Sequence, residues 1–181
     1  MNLPNKLTIL RILLIPLCLI LLYFNLNIPA TVIFIIACIT DFFDGHIARK
    51  NNIVTNFGKF ADPVADKILV ISTMVLLVFK RMFPWWAMLI IVIRELAVDG
   101  LRLVAIEQGV VIPAGNLGKI KTNLQMFGVI AAMLKAPNWL IMSFAVAMSL
   151  LTVISGLQYF MEGRHLIDAG GSKSTKTPKR K

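Results

Sequence analysis

Residues 41–67 read DFFDGHIARKNNIVTNFGKFADPVADK and bring four aspartates into one short polar stretch. The four are Asp41, Asp44, Asp62 and Asp66. Apolar runs long enough to cross a bilayer flank this stretch, and a carboxylate at membrane depth is costly. A divalent cation offsets that cost, because hard cations bind oxygen ligands. The stretch therefore predicts a membrane enzyme that acts on a phosphate-containing substrate.

The composition of the whole chain supports a membrane protein. The 181 residues are 57% hydrophobic and 15% charged, and the mean hydropathy is +0.78. A soluble domain of this size would be less apolar. A transmembrane helix needs about 20 apolar residues, and the chain holds about six such stretches. We predict an all-α polytopic membrane protein with six transmembrane helices and a short N-terminal interfacial segment over Met1–Ile9.

The expected organisation is one membrane domain over residues 1–168 and a basic disordered tail over residues 169–181. The tail is predicted because the low-complexity sequence GGSKSTKTPKRK ends the chain. The six spans are expected at about 7–24, 30–50, 57–79, 86–106, 119–134 and 139–160.

The distribution of cations predicts the orientation in the cell membrane. Six spans put both termini on one side, and most lysines and arginines then share that side, which the positive-inside rule makes cytoplasmic. Lys80 and Arg81 go against this rule. The same bias explains the net charge of +10, so we expect no nucleic-acid partner. The basic tail is expected to attract anionic membrane lipids. The predicted active site faces the cytoplasm.

The spacing of the aspartates predicts a shared metal site. Asp41 and Asp44 are three residues apart and Asp62 and Asp66 are four apart, so each pair lies on one helix face. Counted outward from the turn centre near Ile53–Val54, the two pairs lie at matching depths. Four carboxylates without a cation would repel one another. We predict that they bind two Mg²⁺ or Mn²⁺ ions, an arrangement suited to phosphoryl transfer.

Small residues between the aspartates fit the same chemistry. Gly45, Ala48 and Gly58 leave room for a phosphate or nucleotide close to the backbone, and Arg49 presents a planar fork to a phosphate. The alternative is that the aspartates are ordinary helix-end charges at the membrane surface. In that case their partners would be Arg49, Lys50, Lys59 and Lys67.

These residues match the pattern D-x2-D-G-x2-A-R-x8-G-x3-D-x3-D at every fixed position. In this pattern the chain resembles the CDP-alcohol phosphatidyltransferase family. The resemblance implies a metal-dependent enzyme, working as a homodimer, that moves a phosphatidyl group from a CDP-linked lipid to an alcohol and releases CMP. It also implies that Asp66 belongs to the metal site and is the catalytic base for the acceptor hydroxyl. The residues that it assigns to CDP binding are Asp41, Asp44, Gly45, Ala48, Arg49, Gly58 and Asp62.

Three softer motifs resemble one subgroup of this family. They are MNLPNKLTILRILLIPL at the N-terminus, IVIRELAVDGLR at residues 91–102 and GKIKTNLQM from Gly118. The subgroup resemblance implies CDP-diacylglycerol as the donor and sn-glycerol 3-phosphate as the acceptor.

Four cations are candidates for binding the phosphate of the acceptor. Arg94 and Arg102 are eight residues apart and so lie on nearly one face of the fourth span. Lys119 and Lys121 begin the fifth span on the same side of the membrane. The alternatives are that Arg94 pairs structurally with a neighbouring carboxylate, Glu95 or Asp99, and that the lysines only follow the positive-inside rule.

Two other functions remain open on the sequence. The first is the same chemistry with another acceptor, such as serine, inositol phosphate or phosphatidylglycerol. A neutral or zwitterionic acceptor would leave the pair of arginines without a partner. The second is a cation-coupled transporter, since acids within a membrane also mark ion pathways. The chain has no clear internal repeat and no matching pair of broken helices, which disfavours this second function.

Overall fold

A computed structural model describes residues 3–50, 56–107 and 116–170, and it describes side chains over residues 9–40, 64–107 and 117–161. Six α-helices and no strand are found in these ranges, which confirms the all-α class for this part of the chain. The helices are α1 Leu3–Tyr23, α2 Asn27–Lys50, α3 Asn56–Phe79, α4 Trp85–Glu107, α5 Asn116–Met133 and α6 Asn138–Gly170.

The helix boundaries differ from the expected ones by three residues or more at four places, one of which is the start of α2 at Asn27 instead of residue 30. The N-terminal segment from Leu3 is not a separate helix, because it continues without a break into α1. Helix α5 starts three residues before the expected position, at Asn116, a residue type preferred at helix N-termini. Helix α6 continues ten residues beyond Phe160 and ends at Gly170, inside the segment predicted as tail. Residues 171–181 of that predicted tail lie outside the described residues.

Among the described residues, one helical segment, Asn138–Met161, is both long and apolar enough to cross a membrane, with 24 residues and a mean hydropathy of 2.2. Shorter apolar segments are Ile9–Tyr23 and Asn27–Thr40, within the part of the chain that was described. Large apolar side chains nevertheless cover the outside of the helices; Phe79 and Trp139, for example, are 75% and 71% exposed. An exposed apolar surface of this kind is typical of contact with lipid or with another protein.

The helices pack as two groups of three. Helix α1 packs against α2 and α3, and helix α6 packs against α4 and α5, whereas contacts between the groups are fewer. A continuous core joins the groups in the half of the molecule that contains the α1–α2, α3–α4 and α5–α6 turns. Its fully buried side chains include Cys18, Leu22, Phe34, Leu69, Met74, Leu77, Met133 and Met148.

The three turns at this end of the molecule use one capping geometry. At the end of α3, Met82 N–H donates to Leu77 O at 2.8 Å and Arg81 N–H donates to Val78 O at 2.9 Å. This pair of bonds is the Schellman motif, which needs a left-handed residue and usually takes glycine. Here the left-handed residues, with φ of 62°, 58° and 55°, are Asn25, Arg81 and Lys135.

Lys80 has a structural role at the end of the molecule that contains the three capped turns. Its Nζ donates to Leu22 O at 2.9 Å and to Tyr23 O at 3.0 Å. These carbonyls belong to the last turn of α1, beyond the regular helical hydrogen bonds; Leu22 O also accepts the capping bond from Asn25 N–H at 3.1 Å. A cation also suits the negative end of the helix dipole. Lys80 therefore joins α3 to the end of α1.

We expect Lys135→Gly to keep or raise the stability of the protein and Lys135→Val to lower it by about 1 kcal/mol or more. A left-handed backbone costs an L-residue about 1–2 kcal/mol, and a β-branched side chain suits it worst. The midpoint of thermal unfolding in detergent measures both changes. The neighbouring Leu134, also exposed, is the control, because Leu134→Gly should destabilise. Equal midpoints for Lys135→Gly and Lys135→Val would contradict this account of the turn.

Candidate active site

The helix backbones place the two aspartate pairs at one end of the molecule. Asp41 and Asp44 lie in the C-terminal half of α2, and Asp62 and Asp66 lie in the N-terminal half of α3. At about 1.5 Å per residue, Asp41 and Asp66 are both about 20 Å along their helices from the capped turns. The two helices contact each other sparsely, since α1 packs against both of them. The matching depths of the two aspartate pairs therefore depend on the packing of α2 and α3 against α1.

Most side chains of the predicted metal and CDP sites lie outside the described residues, so both sites stay predictions. Among side chains that the structure describes, no group of three or more His, Cys, Asp or Glu side chains forms a metal site. Asp66 is described, and it is half-buried beside a polar cavity. The members that lie outside are Asp41, Asp44, Gly45, Ala48, Arg49, Gly58 and Asp62.

The polar cavity has a volume of about 230 Å³ and lies between α3, α4, α5 and α6. It brings together the predicted base Asp66 and all four predicted acceptor cations, although these residues come from three different helices. Five cations and three carboxylates line it: Lys67, Arg94, Arg102, Lys119, Lys121, Asp66, Glu95 and Asp99.

Glu95 is the centre of the charge network in this cavity. Its Oε1 accepts hydrogen bonds from Lys121 Nζ and from Arg94 Nη1, the latter at 3.1 Å. Its Oε2 lies 3.6 Å from Lys67 Nζ, which also pairs with Asp99. Cations from α3, α4 and α5 thus meet at one carboxylate. The structural pairing of Arg94 with Glu95, considered in the sequence analysis as the alternative to phosphate binding, is present. Arg94 also lines the cavity, so the two roles are compatible.

The two lysines of α5 differ in their surroundings. Lys121 is buried, with 3% of its side chain exposed, and its ammonium group is bonded to Glu95. Lys119 is exposed where it lines the cavity. Lys121 is therefore mainly a structural cation that links α5 to α4.

The network of Lys67, Glu95 and Asp99 was not predicted from the sequence. The available signal was their proximity in the chain to predicted site residues: Lys67 follows Asp66, and Glu95 and Asp99 closely follow Arg94.

Both arginines of α4 are held by α6. Arg94 Nη2 donates to Ser155 Oγ at 2.6 Å, and Arg102 Nη2 donates to Tyr159 Oη at 2.8 Å. The Nε atoms of Arg94 and Arg102 are buried and have no hydrogen-bond partner in the described part of the chain. A buried donor without a partner is unfavourable. The cavity lining has five cations and three carboxylates, and this excess of positive charge suits an anion.

Comparison with known proteins identifies the family of the chain. The sequence matches the CDP-alcohol phosphatidyltransferases over residues 1–152. The chain belongs to this family. The match includes α1 to α5 and the first half of α6, so the aspartate pairs and the cations of the cavity lie inside it, whereas Ser155 and Tyr159 follow its end.

Several similar proteins carry the same name, CDP-diacylglycerol–glycerol-3-phosphate 3-phosphatidyltransferase. The one from Bacillus subtilis (strain 168) is 42% identical over 180 residues, covering 88% of this chain and 93% of the relative. The one from Rickettsia typhi is 40% identical over 169 residues, covering 88% of this chain and 95% of the relative. The one from Wigglesworthia glossinidia brevipalpis is 34% identical over 170 residues. The family resemblance seen in the sequence is thereby confirmed.

The network at Glu95 leads to a stability prediction for this family member. Glu95→Gln leaves Lys121 buried without its carboxylate, and breaking such a pair costs about 3–5 kcal/mol. Lys121→Met should cost less, because Glu95 keeps Arg94 and Lys67 as partners. Unfolding midpoints in detergent measure both changes, with the exposed Glu107→Gln on the same helix as the control. A larger loss for Lys121→Met than for Glu95→Gln would be inconsistent with Glu95 as the centre.

Proposed function

We propose that this protein transfers the phosphatidyl group of CDP-diacylglycerol to sn-glycerol 3-phosphate, forming phosphatidylglycerophosphate and CMP. The observation that carries the proposal is the polar cavity, in which Asp66 and the guanidinium groups of Arg94 and Arg102 line one small volume. The names of the relatives from three organisms support the same reaction. The protein is thus an enzyme of phospholipid synthesis, of the phosphatidylglycerophosphate synthase type.

The charge in the cavity fits a phosphate monoester as the acceptor. Two more cations than carboxylates line it, and a dianionic phosphate would balance that excess. Lys67 and Lys121 are paired with Asp99 and Glu95, Arg94 shares Glu95 with Lys121, and Arg102 donates to the neutral Tyr159 hydroxyl. Arginine also matches the geometry of a phosphate better than lysine does. Arg94 and Arg102 are therefore the main phosphate ligands, and Lys119 contributes charge from the edge of the cavity.

The donor site would lie beside the acceptor cavity, on the aspartate pairs. Asp41, Asp44, Asp62 and Asp66 supply only oxygen ligands, which suits two Mg²⁺ or Mn²⁺ ions. Asp66 borders the cavity. Asp41 and Asp44 lie in the C-terminal half of α2, and Asp62 lies in the N-terminal half of α3. The bound ions would neutralise the diphosphate and stabilise the leaving CMP. Gly45, Ala48, Arg49 and Gly58 would complete the CDP site.

The proposed reaction is a displacement at phosphorus. Arg94 and Arg102 hold the phosphate of the acceptor so that a glycerol hydroxyl points toward Asp66. The carboxylate of Asp66 takes the hydroxyl proton. The freed oxygen forms a bond to the phosphorus that carries diacylglycerol, and the bond from that phosphorus to the CMP oxygen breaks. CMP leaves with the electron pair, and the lipid tails stay in the bilayer throughout.

We further propose the architecture in which this site works. The six helices span the cell membrane, with the aspartate pairs and both termini on the cytoplasmic side and the three capped turns on the other. The apolar surface of the helices supports membrane spanning, and the distribution of lysines and arginines supports the orientation. The structural role of Lys80 accounts for one exception to that distribution. Residues 1–168 form the catalytic domain, which works as a homodimer. The basic tail over 169–181 contacts anionic lipids, and no nucleic acid is involved.

The choice of acceptor is tested by measuring CMP release from CDP-diacylglycerol with a panel of acceptors. We expect sn-glycerol 3-phosphate to be preferred over serine, inositol phosphate and phosphatidylglycerol. Arg102→Lys should raise the KM for glycerol 3-phosphate about 10-fold or more, because a hydrogen bond to a charged group contributes about 1.5–3 kcal/mol. Arg94→Ala should raise it further, while the KM for CDP-diacylglycerol changes little.

Arg81→Lys is the matched control for the acceptor experiment, since Arg81 is a cation in a capped turn far from the cavity. If both arginine variants lose affinity for CDP-diacylglycerol instead, these residues serve the donor. A wild-type preference for serine or phosphatidylglycerol would refute glycerol 3-phosphate as the acceptor. If CMP release does not depend on any acceptor, the transferase reaction itself is refuted.

The role of Asp66 leads to a second prediction about catalysis. Asp66→Asn keeps the size of the side chain but removes its capacity to take a proton. We expect turnover to fall about 10²- to 10⁴-fold, the usual contribution of a general base, with a much smaller change in the binding of CDP-diacylglycerol. Chelation of divalent ions should abolish turnover of the wild type. Equal losses of turnover and of donor binding in Asp66→Asn would make Asp66 chiefly a metal ligand.

A further inference from the structure

Three residues of α6 lie against the two arginines of the acceptor cavity. Ser155 and Tyr159 accept hydrogen bonds from Arg94 and Arg102. Gly156 lies against the stem of Arg94, where an added Cβ would come within 3.2 Å of Arg94 Cγ. The matched family segment ends at residue 152, before all three. No charged residue marks this part of α6, so the sequence pattern alone did not point to it.

Tyr159 is the residue that contacts both guanidinium groups. Its ring centroid lies 5.4 Å from Arg94 Cζ and 5.2 Å from Arg102 Cζ, which are cation–π distances. The tyrosine is 4% exposed, so its ring cannot move away into solvent. One rigid side chain thus makes two cation–π contacts and accepts one hydrogen bond. It fixes the positions of two like charges that would otherwise separate.

We propose that Tyr159 is a positioning residue for the acceptor: it holds Arg94 and Arg102 at the spacing that binds a phosphate monoester. This proposal rests on the proposed function, because it assigns the phosphate to the same cavity. Tyr159 acts through the arginines and takes no part in the displacement. Its loss should therefore weaken binding of the acceptor and leave binding of the donor unchanged.

The test compares Tyr159→Phe and Tyr159→Leu in the CMP-release assay. Tyr159→Phe keeps the ring and loses the hydrogen bond to Arg102, so the KM for sn-glycerol 3-phosphate should rise about 3- to 10-fold. Tyr159→Leu also loses both cation–π contacts, so this KM should rise about 10- to 100-fold. The turnover at saturating acceptor and the KM for CDP-diacylglycerol should stay within about 2-fold of the wild type. If Tyr159 were purely structural, its replacement would reduce turnover and raise the KM for CDP-diacylglycerol as much as the KM for the acceptor, and that result would overturn the proposal.

Tyr23 provides a matched control, because it is the other tyrosine of the chain and lies at the far end of α1. Tyr23→Phe and Tyr23→Leu should leave the acceptor KM unchanged. The double variant Tyr159→Phe with Arg102→Lys tests whether Tyr159 acts through Arg102. Its acceptor KM should be close to that of Arg102→Lys alone, since one hydrogen bond is removed in both. If the KM increases of the two single variants multiply in the double variant, Tyr159 does not act through Arg102.

A binding measurement separates failure of this proposal from failure of the proposed function. Inorganic phosphate should raise the unfolding midpoint of the wild type and of Tyr23→Leu, whatever the natural acceptor is. Tyr159→Phe should show a smaller rise and Tyr159→Leu almost none. This result supports the positioning role even if glycerol 3-phosphate proves not to be the acceptor. Equal stabilisation of Tyr159→Leu and the wild type by phosphate overturns the positioning role and leaves the transferase assignment intact.

Discussion

The interaction on which the charged end of this molecule depends is the convergence of Lys67, Arg94 and Lys121 on the Glu95 carboxylate. A buried cation without a partner is unfavourable in a low-dielectric interior. One carboxylate offsets much of the charge of these three cations and links α3, α4 and α5. Because it does not offset all of it, the cavity retains an excess of positive charge that a phosphate can balance.

The same network explains how the arginines are kept available for a ligand. The ammonium groups of Lys67 and Lys121 pair with Asp99 and Glu95, and Arg94 shares Glu95 through Nη1. The Nη2 atoms of Arg94 and Arg102 donate to neutral hydroxyl groups on α6. A neutral hydroxyl or ring fixes a guanidinium without cancelling its charge. The cavity thereby keeps more positive than negative charge around Arg94 and Arg102, with Asp66 in its wall.

Several features could be read from the sequence because they depend on spacing along one helix. The aspartate pairs, the small residues between them and the arginines eight residues apart are local patterns with a fixed geometry. The predicted helix boundaries were less accurate. Helix α6 continues past Phe160, and the N-terminal segment predicted as separate belongs to α1 from Leu3 onward. Lys80 was predicted only as an exception to the charge rule, because its carbonyl partners lie 57 and 58 residues away in the chain.

The sequence by itself determined the family, the helical class and the residue types of the metal and acceptor sites, since these are written in short-range patterns of charge and apolar residues. Only the tertiary structure decided which cation pairs with which carboxylate. The spacing made Lys119 and Lys121 equivalent, yet Lys121 is buried on Glu95 and Lys119 is exposed. It also revealed Tyr159 as the common neighbour of two arginines. Such choices depend on how helices distant in the chain pack together, and no local periodicity encodes that packing.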